Sequence, residues 1–300
     1  MSKGIFKTML DLGRAANLPT VWTNVLAAWL LSRLEGAGWL GLSLVPCLIG
    51  ASLLYLGGCT LNDVCDEEFD RQYRPERAIP AGIMSRQQVL VLAGVELILG
   101  AFTLMLAGCD PELVGLLATA IVAYDLWHKK WIGCVWIMGL CRALLWLIPA
   151  TLPTHELKEM VIIWAVLVGL YVAGISLTAR AESKPDGKSS KWTVLFLLVP
   201  LAGLGYSSTF SNGSLLGFLT FGMLLWVAVG GALFMVLMAK AVNGMRSDPP
   251  ASIGPAVALL LAAISLVDAM ALWVIEPKAA LALLLGLPLA RFLQWYVAST

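Results

Sequence analysis

The stretch that decides the fold is Asn62-Asp63-Val64-Cys65-Asp66-Glu67-Glu68-Phe69-Asp70. It follows roughly twenty mostly apolar residues, which is about the length that a membrane-spanning helix needs. The stretch holds five carboxylates within eight residues, and charge beside a membrane span is costly unless it serves a function. On a helix that turns by about 100° per residue, Asp63, Asp66 and Asp70 share one face, with Asn62 and Glu67 at its edges. The sequence therefore predicts a cluster of carboxylates at the mouth of a membrane span.

The spacing of these carboxylates predicts a metal site. Three carboxylates at positions i, i+3 and i+7 repel one another unless a cation joins them. Mg²⁺ prefers oxygen ligands and is often held by one or two carboxylates together with substrate phosphates. We therefore predict that Asp63, Asp66 and Asp70 bind Mg²⁺. The alternative is an acidic loop that only keeps the end of the helix in water.

The composition is that of an integral membrane protein. Of the 300 residues, 59% are hydrophobic and 13% are charged, whereas soluble domains carry about 25% charged residues. The net charge of +1 offers no basic surface, so we expect no nucleic acid as a partner. The six cysteines include no Cys-x-x-Cys pair, which disfavours a zinc site or a disulfide framework.

Ten apolar segments are long enough to be read as membrane spans. We therefore predict an all-α integral membrane protein that forms one polytopic domain over residues 1–300. The predicted spans are 17–34, 39–61, 87–108, 111–128, 132–152, 157–179, 192–210, 213–239, 253–275 and 278–298.

The lysines and arginines lie almost entirely on one side of these spans. Fifteen fall in the N-terminal segment and in the connections after even-numbered spans, whereas only Arg33, Lys158 and Lys278 fall on the other side. The positive-inside rule places the richer side in the cytoplasm. We therefore predict an inner (cytoplasmic) membrane protein whose N-terminus and charged loops, 62–86 and 178–191, are cytoplasmic.

Arginines accompany both charged loops. Arg77 follows the acidic stretch beside a turn, and a guanidinium suits bidentate contact with phosphate. The second loop begins with Arg180 and Glu182 and continues to Asp186. It occupies the same place after the sixth span that the acidic stretch occupies after the second. The two loops are therefore expected to face one anion.

Several polar residues lie inside or at the ends of the spans. Asn17 and Asn24 are seven residues apart and share a helix face, where either a neighbouring helix or a cavity would satisfy them. Arg142 is an unusual buried charge. We expect Asp125 to pair with Lys129 and expect Asp268 to have a buried partner or an aqueous cavity. The prediction for Asp268 follows from its depth in the ninth span.

The motifs together resemble the UbiA superfamily of intramembrane prenyltransferases, from about residue 14 to residue 268. Asn62-Asp63-x-x-Asp66-x-x-x-Asp70 is similar to the first aspartate-rich motif of that family. The segment Arg77-Ala-Ile-Pro-Ala-Gly82 resembles its Arg-Pro-Leu-Pro-Ser-Gly stretch. Tyr124 followed by His128-Lys129-Lys130 resembles its Tyr-x-x-x-Lys-Arg element. The segments 17–24 and 176–183 and the residues around Asp268 resemble the EboC-type branch.

The second motif departs from the family pattern. The family normally has a set of aspartates there, whereas this chain has Arg180, Glu182 and Asp186. The departure keeps open a second function, in which the protein binds or transports an isoprenoid phosphate without chemistry. The resemblance itself implies a bundle of nine core transmembrane helices, with a tenth in this chain.

The resemblance also implies an enzyme and its site residues. It implies Mg²⁺-dependent transfer of a prenyl group from an allylic isoprenyl diphosphate, through an allylic cation, to an aromatic or other small or lipophilic acceptor within the membrane. The expected partners are the diphosphate donor, an unidentified acceptor and membrane lipid. We predict a catalytic set (Asn62, Asp63, Asp66, Asp70), a diphosphate-binding set (Arg77, Lys129, Lys130, Arg180), a second motif (Glu182, Asp186) and acceptor or cavity residues (Asn17, Asn24, Tyr124, Arg142). Glu182 is the fourth predicted metal ligand.

Overall fold

All regular elements that the structure describes are helices, which confirms the all-α prediction. The computed structural model describes residues 4–33, 41–152, 156–182, 191–211, 221–247 and 253–298. The helices are α1 (Ile5–Leu12), α2 (Leu18–Ser32), α3 (Leu44–Cys65), α4 (Glu67–Tyr73), α5 (Arg86–Ala107), α6 (Pro111–Trp127), α7 (Cys134–Ala150), α8 (Glu159–Glu182), α9 (Lys191–Leu198), α10 (Pro200–Ser211), α11 (Phe221–Ser247), α12 (Ile253–Ala262), α13 (Ile264–Leu272), α14 (Pro277–Leu283) and α15 (Gly286–Leu293). A 3₁₀ turn at Ala15–Asn17 joins α1 to α2.

Five helical segments in the described ranges are long and apolar enough to cross a membrane, so the protein is a multi-pass membrane protein. They are Leu44–Cys65, Arg86–Ala107, Glu159–Arg180, Leu224–Gly244 and Ile253–Leu272. The described parts of the predicted spans are mostly helical, although the seventh, ninth and tenth spans are each divided between two helices. Residues 34, 39–40 and 213–220, at the ends of the first, second and eighth predicted spans, lie outside the described residues. In the seventh span, α10 begins at Pro200, which cannot donate the backbone hydrogen bond of a continuous helix.

Two helix pairs pack through glycines at their closest approach. Between α3 and α5, a Cβ atom on Gly50 would lie 2.9 Å from the carbonyl oxygen of Gly100. Between α7 and α8, a Cβ atom on Gly139 would lie 2.6 Å from the carbonyl oxygen of Gly169. Larger side chains would force these helices apart, and membrane helices commonly use small residues for such contacts. The two pairs fix α3 and α8, whose C-terminal ends carry the two charged motifs.

Helix α2 runs through the middle of the bundle. It packs against α3, α7, α13 and α15, and most of its residues are buried. The largest hydrophobic core lies beside it and includes Trp146, Trp164 and Tyr171, all fully buried. The central position of α2 brings the chain just before it, at Arg14, to the end of α3.

The helix predicted through the acidic stretch is interrupted at one residue. Helix α3 ends at Cys65, and Asp66 adopts φ −92° and ψ 3° before α4 begins. The backbone N–H of Asp70 still donates to the carbonyl oxygen of Asp66 at 2.8 Å. The interruption coincides with contacts to the Asp66 side chain from His128 and Lys129, in the turn after α6. Local spacing alone predicted a continuous helix there.

Candidate active site at the ends of α3 and α6

Asp63 lies in the last turn of α3 between two arginines. Its Oδ1 atom is 3.4 Å from Arg14 Nη2 and 3.4 Å from Arg77 Nη1. Arg14 also donates to Asn62 Oδ1 at 3.0 Å. The backbone of Arg14 is left-handed, with φ 46°, a conformation that is uncommon for residues other than glycine. The turn before α2 therefore directs a charged side chain to the acidic motif.

Asp66 is held by the end of α6. Its Oδ1 atom lies 3.0 Å from His128 Nε2, and its Oδ2 atom lies 3.2 Å from Lys129 Nζ. Burial alone would raise the pKa of the Asp66 carboxyl, but His128 and Lys129 together lower it below its usual value. Lys129 Nζ also lies 3.5 Å from the centre of the Phe69 ring. Asp66 therefore has a polar or charged partner at each of its carboxylate oxygens, His128 at Oδ1 and Lys129 at Oδ2.

Asp70 is the carboxylate of the motif that remains open. It is 4% exposed, and no side chain in the described ranges makes a hydrogen bond or ion pair with it. Burial raises the pKa of Asp70 above its usual value; Arg77 opposes this shift, whereas Asp63 and Asp66 add to it. A buried carboxylate with free oxygens is costly, so Asp70 favours binding a cation.

Asp125 joins this site from the last turn of α6. Its Oδ1 atom accepts a hydrogen bond from Asn62 Nδ2 at 3.1 Å. Its Oδ2 atom is buried and has no hydrogen-bond partner among the described residues. The prediction that Asp125 pairs with Lys129 is wrong, because Lys129 reaches across to Asp66. The neighbouring Tyr124 stacks on the His128 ring, with ring centres 5.2 Å apart.

The end of α8 meets the same site through the turn between α6 and α7. Arg180 Nη2 donates to the carbonyl oxygens of His128 and Trp131, the latter at 3.1 Å. Glu182 is the last residue of α8, but its side chain and the whole of Asp186 lie outside the described residues. Lys130 is exposed and makes no ion pair with the described carboxylates of the motif, whereas the adjacent Lys129 contacts Asp66.

The predicted acceptor residues lie deeper in the bundle. Asn17 donates to the Tyr55 hydroxyl at 3.3 Å and accepts from Gln294 Nε2 at 3.1 Å. Asn24 donates to Asp268, which has the buried partners that the sequence predicted. Arg142 is 7% exposed and donates to α2. These residues follow α2 downward from the acidic motif.

The donor set at the motif fits Mg²⁺ bound together with a phosphate. In the described parts of the chain, no group of three or more His, Cys, Asp or Glu side chains converges closely enough to enclose a metal ion. Mg²⁺ rarely uses an all-protein cage and typically needs only one or two carboxylates beside substrate phosphates. Asp70, with its free oxygens, and either Asp63 or Asp66 would supply those ligands.

Sequence reasoning did not assign Arg14 or Asp125 to this site. Arg14 precedes the first span and was counted only among the positive charges on that side. Asp125 was read as a local partner of Lys129. The position of Asp125 in the sequence could have indicated its place in the site, because a carboxylate in the last apolar turn of a span is as unusual as the acidic motif itself.

Comparison with known proteins decides the family. The UbiA prenyltransferase family model matches residues 18–254. The chain belongs to the UbiA prenyltransferase family. The match covers α2 through the start of α12, and it includes both charged motifs. The EboC-type sub-assignment stays a prediction.

Curated UbiA relatives match shorter parts of the chain. Protoheme IX farnesyltransferase of Alkalihalophilus pseudofirmus is 32% identical over 92 residues, which are 29% of this chain and 30% of that protein. Digeranylgeranylglyceryl phosphate synthase of Pyrococcus abyssi is 36% identical over 81 residues, 26% of this chain and 29% of that one. A 4-hydroxybenzoate octaprenyltransferase of Polaromonas is 33% identical over 106 residues, 34% and 36% of the two chains. The chain spans about a third of the length of these three relatives.

Solved UbiA structures share the whole fold. A digeranylgeranylglyceryl phosphate synthase superposes with a TM-score of 0.60 at 18% identity, covering 94% of this chain and 98% of that one. A UbiA homolog from Archaeoglobus fulgidus, bound to GPP and Mg²⁺, superposes with a TM-score of 0.55 at 10% identity, covering 92% and 99%. At these identities the likeness concerns the fold, and it confirms the predicted intramembrane UbiA bundle.

Proposed function

We propose that this UbiA protein transfers a prenyl group from an allylic isoprenyl diphosphate to a small or lipophilic acceptor within the membrane. The observation that carries the proposal is the buried cluster of Asp63, Asp66 and Asp70 with its fixed cations. Family membership supports the reaction class. Prenyl transfer by the named relatives supports it further, although each match covers only part of their length.

The charges of the cluster support a donor that arrives with Mg²⁺. Asp63 and Asp66 contact three fixed cations, which are Arg14, Arg77 and Lys129, and the carboxyl groups of Asp70 and Asp125 belong to the same site. The site therefore carries no excess of positive charge before a ligand binds. A diphosphate adds negative charge that the cluster does not offset, so a divalent cation must accompany it. When bound, Mg²⁺ would neutralise the diphosphate and make it a better leaving group.

The chain's own residues supply the remaining stabilisation. When the allylic C–O bond breaks, its electron pair leaves with the diphosphate. Arg77, Arg14 and Lys129 are positioned to offset that charge, because their present carboxylate partners would turn to the metal. The acceptor atom then forms a bond with the allylic carbon and loses its proton. Tyr124 and the His128 ring present aromatic faces at the edge of this cluster, where they could shelter the allylic cation.

The altered second motif acts mainly by holding the α6–α7 turn. Arg180 donates to the carbonyl oxygens of His128 and Trp131, and His128 and Lys129 in turn contact Asp66. We therefore assign Arg180 as a positioning residue for the donor site. Glu182 and Asp186 remain candidates for a further metal ligand and a motif residue.

The orientation follows from the distribution of positive charge. The acidic motif, Lys129 and Arg180 all lie on the side that carries fifteen of the lysines and arginines. The positive-inside rule makes this side cytoplasmic. We infer that the protein lies in the inner membrane with its donor site open to the cytoplasm.

The test is product formation by purified protein in lipid nanodiscs. Wild type is incubated with C10 to C20 isoprenyl diphosphates, Mg²⁺ and a membrane lipid extract as the source of acceptor. The proposal expects pyrophosphate and a prenylated lipid product, both abolished by EDTA. Mg²⁺-dependent binding of a diphosphate without pyrophosphate release would instead favour the binding or transport function.

A further inference from the structure

Polar residues follow one face of α2 and the turn before it from the acidic motif into the bundle. Asn17, Thr20 and Asn24 recur at spacings of three and four residues, which keeps them on one side of a helix, and Arg14 lies in the left-handed turn before them. Arg14 contacts Asp63, Asn17 contacts Tyr55 of α3, Thr20 contacts α7, and Asn24 contacts α13. At about 1.5 Å per residue, the part from Asn17 to Asn24 extends roughly 10 Å.

Arg142 of α7 stands beside this face with its charge unpaired. Its Nη2 atom donates to the carbonyl oxygen of Thr20 at 2.9 Å and to the Thr20 hydroxyl at 2.8 Å. Both acceptors are neutral. Its Nε atom is buried and has no hydrogen-bond partner in the described residues, and no carboxylate there forms an ion pair with it. Arginines inside a membrane are almost always paired, so this guanidinium lacks the anion that its setting requires.

The buried carboxylate that acts electrostatically on Arg142 is Asp268, and it already accepts three hydrogen bonds from other residues. It accepts hydrogen bonds from Thr23 at 2.6 Å, from Trp146 at 3.0 Å, and from Asn24. Trp146 lies one helical turn below Arg142 on α7, and Asn24 lies one turn below Thr20 on α2. Asp268 therefore acts on Arg142 through space without occupying its free N–H.

Partly accessible side chains of α3 and α7 lie near Arg142 and the acidic motif. Tyr55 and Cys59 of α3 and Cys141 of α7 each retain accessible surface. The hydroxyl of Tyr55 bonds to the buried Asn17, and Cys59 lies beside Arg14 and Tyr55. Cys141 lies within electrostatic range of Asp125. These partly accessible side chains thus line the region between the two charged sites.

We propose that Arg142 anchors the acceptor through a carboxylate or equivalent oxygen anion on the molecule. That the bound anion belongs to an acceptor rests on the proposed function. Binding of the anion at Arg142 does not depend on that function. The free Nε and the neutral contacts of Nη2 leave the guanidinium able to make a charge-assisted hydrogen bond. The polar face of α2 then leads from the anchored anion to Asp63, where the acceptor's other end meets the donor.

Binding of a small carboxylate without metal or donor tests the anchor separately. Wild type in nanodiscs is titrated calorimetrically with 4-phenylbutyrate and with its neutral amide, after subtraction of empty nanodiscs. We expect the carboxylate to bind at least about tenfold more tightly than the amide, because a charge-assisted hydrogen bond contributes about 1.5–3 kcal/mol. Arg142→Gln, which can still donate to Thr20, should lose this preference, and Arg142→Lys should retain part of it.

The matched control is Arg291→Met, which removes another arginine from the apolar segments. Arg291 donates to Gln294 at 2.7 Å and lies on α15, so its loss should leave the preference unchanged. Mg²⁺-dependent binding of geranyl diphosphate should also be unchanged in Arg142→Gln, which shows that the donor site is intact. An unchanged carboxylate preference in Arg142→Gln, or no preference in wild type, would overturn the proposal. An Arg142-dependent preference in a protein that releases no pyrophosphate would support the anion site and count against prenyl transfer.

Discussion

Two groups of buried carboxylates in this protein differ in what surrounds them. Asp63 and Asp66 at the end of α3 face charged side chains, and Asp70 beside them has free oxygens. Asp268 in α13 is 0% exposed and accepts its hydrogen bonds from uncharged donors of α2 and α7. The charged partners of Asp63 and Asp66 can be exchanged for a metal ion and a phosphate. The neutral donors around Asp268 instead join α13 to α2 and α7. The comparison separates the proposed binding site from a structural contact made with the same residue type.

The largest expected effect is loss of turnover in Asp63→Ala. This change removes a proposed metal ligand and leaves Arg14 and Arg77 without their shared partner, so charge stabilisation of the donor is lost. We expect pyrophosphate release to fall by at least about a hundredfold, in the range measured when one electrostatic group is removed from an active site. Glu68→Ala is the control, because Glu68 is exposed in the same stretch. Retention of more than a tenth of the wild-type rate in Asp63→Ala would contradict the assignment.

The next-largest expected effect is a loss of stability when Asp268 is replaced. Asp268→Ala leaves the buried donors of Asn24 and Trp146 without an acceptor, whereas the Thr23 hydroxyl can still donate to the carbonyl oxygen of Thr20. We expect a loss of about 2–4 kcal/mol of stability, since each orphaned group costs about 1–3 kcal/mol and neighbouring helices relax in part. Thermal unfolding in detergent measures it. Asp70→Ala should melt at or above the wild-type temperature, because it removes a buried carboxylate that has no partner. Equal melting temperatures for Asp268→Ala and Asp70→Ala would contradict the distinction between a structural role for Asp268 and a binding role for Asp70.

A smaller effect should separate two adjacent lysines. Lys129 contacts Asp66 and lies over the Phe69 ring, whereas Lys130 is exposed. We expect Lys129→Met to weaken Mg²⁺-dependent binding of geranyl diphosphate about tenfold, and Lys130→Met to weaken it less than twofold, in line with the strength of charge-assisted and exposed contacts. Titration calorimetry compares them. Equal losses would restore Lys130 to the diphosphate-binding set that the sequence predicted.

The smallest effect is expected at Arg180. Lysine keeps the charge but cannot reproduce a planar guanidinium donating to two carbonyl oxygens. In Arg180→Lys we expect the affinity for the donor to fall by about threefold to tenfold, because the turn that carries His128 and Lys129 loses a hydrogen bond. The same calorimetric titration measures it. Unchanged affinity in both Arg180→Lys and Arg180→Ala would leave Arg180 as a membrane-side anchor only.

The sequence predicted the parts of this architecture that depend on local patterns. Apolar length located the helical segments. At the start of α5 the side chains of Ser85 and Gln88 form a capping box, which is also a local pattern. The acidic motif was visible because its charges interrupt apolar chain. The break at Asp66 was not predictable, because His128 and Lys129, which contact its side chain, lie far along the chain in the turn after α6.

For the same reason, the sequence could not predict which side chains contact one another across the bundle. Helical periodicity shows which residues share a face, but it does not show which helix that face meets. Asn24 was correctly placed on a polar face, yet its contact with Asp268 joins residues 244 positions apart. Arg14 needed both the left-handed turn and the packing of α2 against α3 before its role became visible.

The most direct test of the central claim compares wild type with Asp70→Asn in Mg²⁺-dependent pyrophosphate release. The substitution keeps the shape of the side chain and removes only the charge of the carboxylate that has free oxygens. We predict release by wild type that saturates with Mg²⁺ and stops with EDTA, and a loss of at least about a hundredfold in Asp70→Asn despite unchanged melting behaviour. Equal release by both proteins, or tight Mg²⁺-dependent donor binding by wild type without any pyrophosphate, would contradict the account.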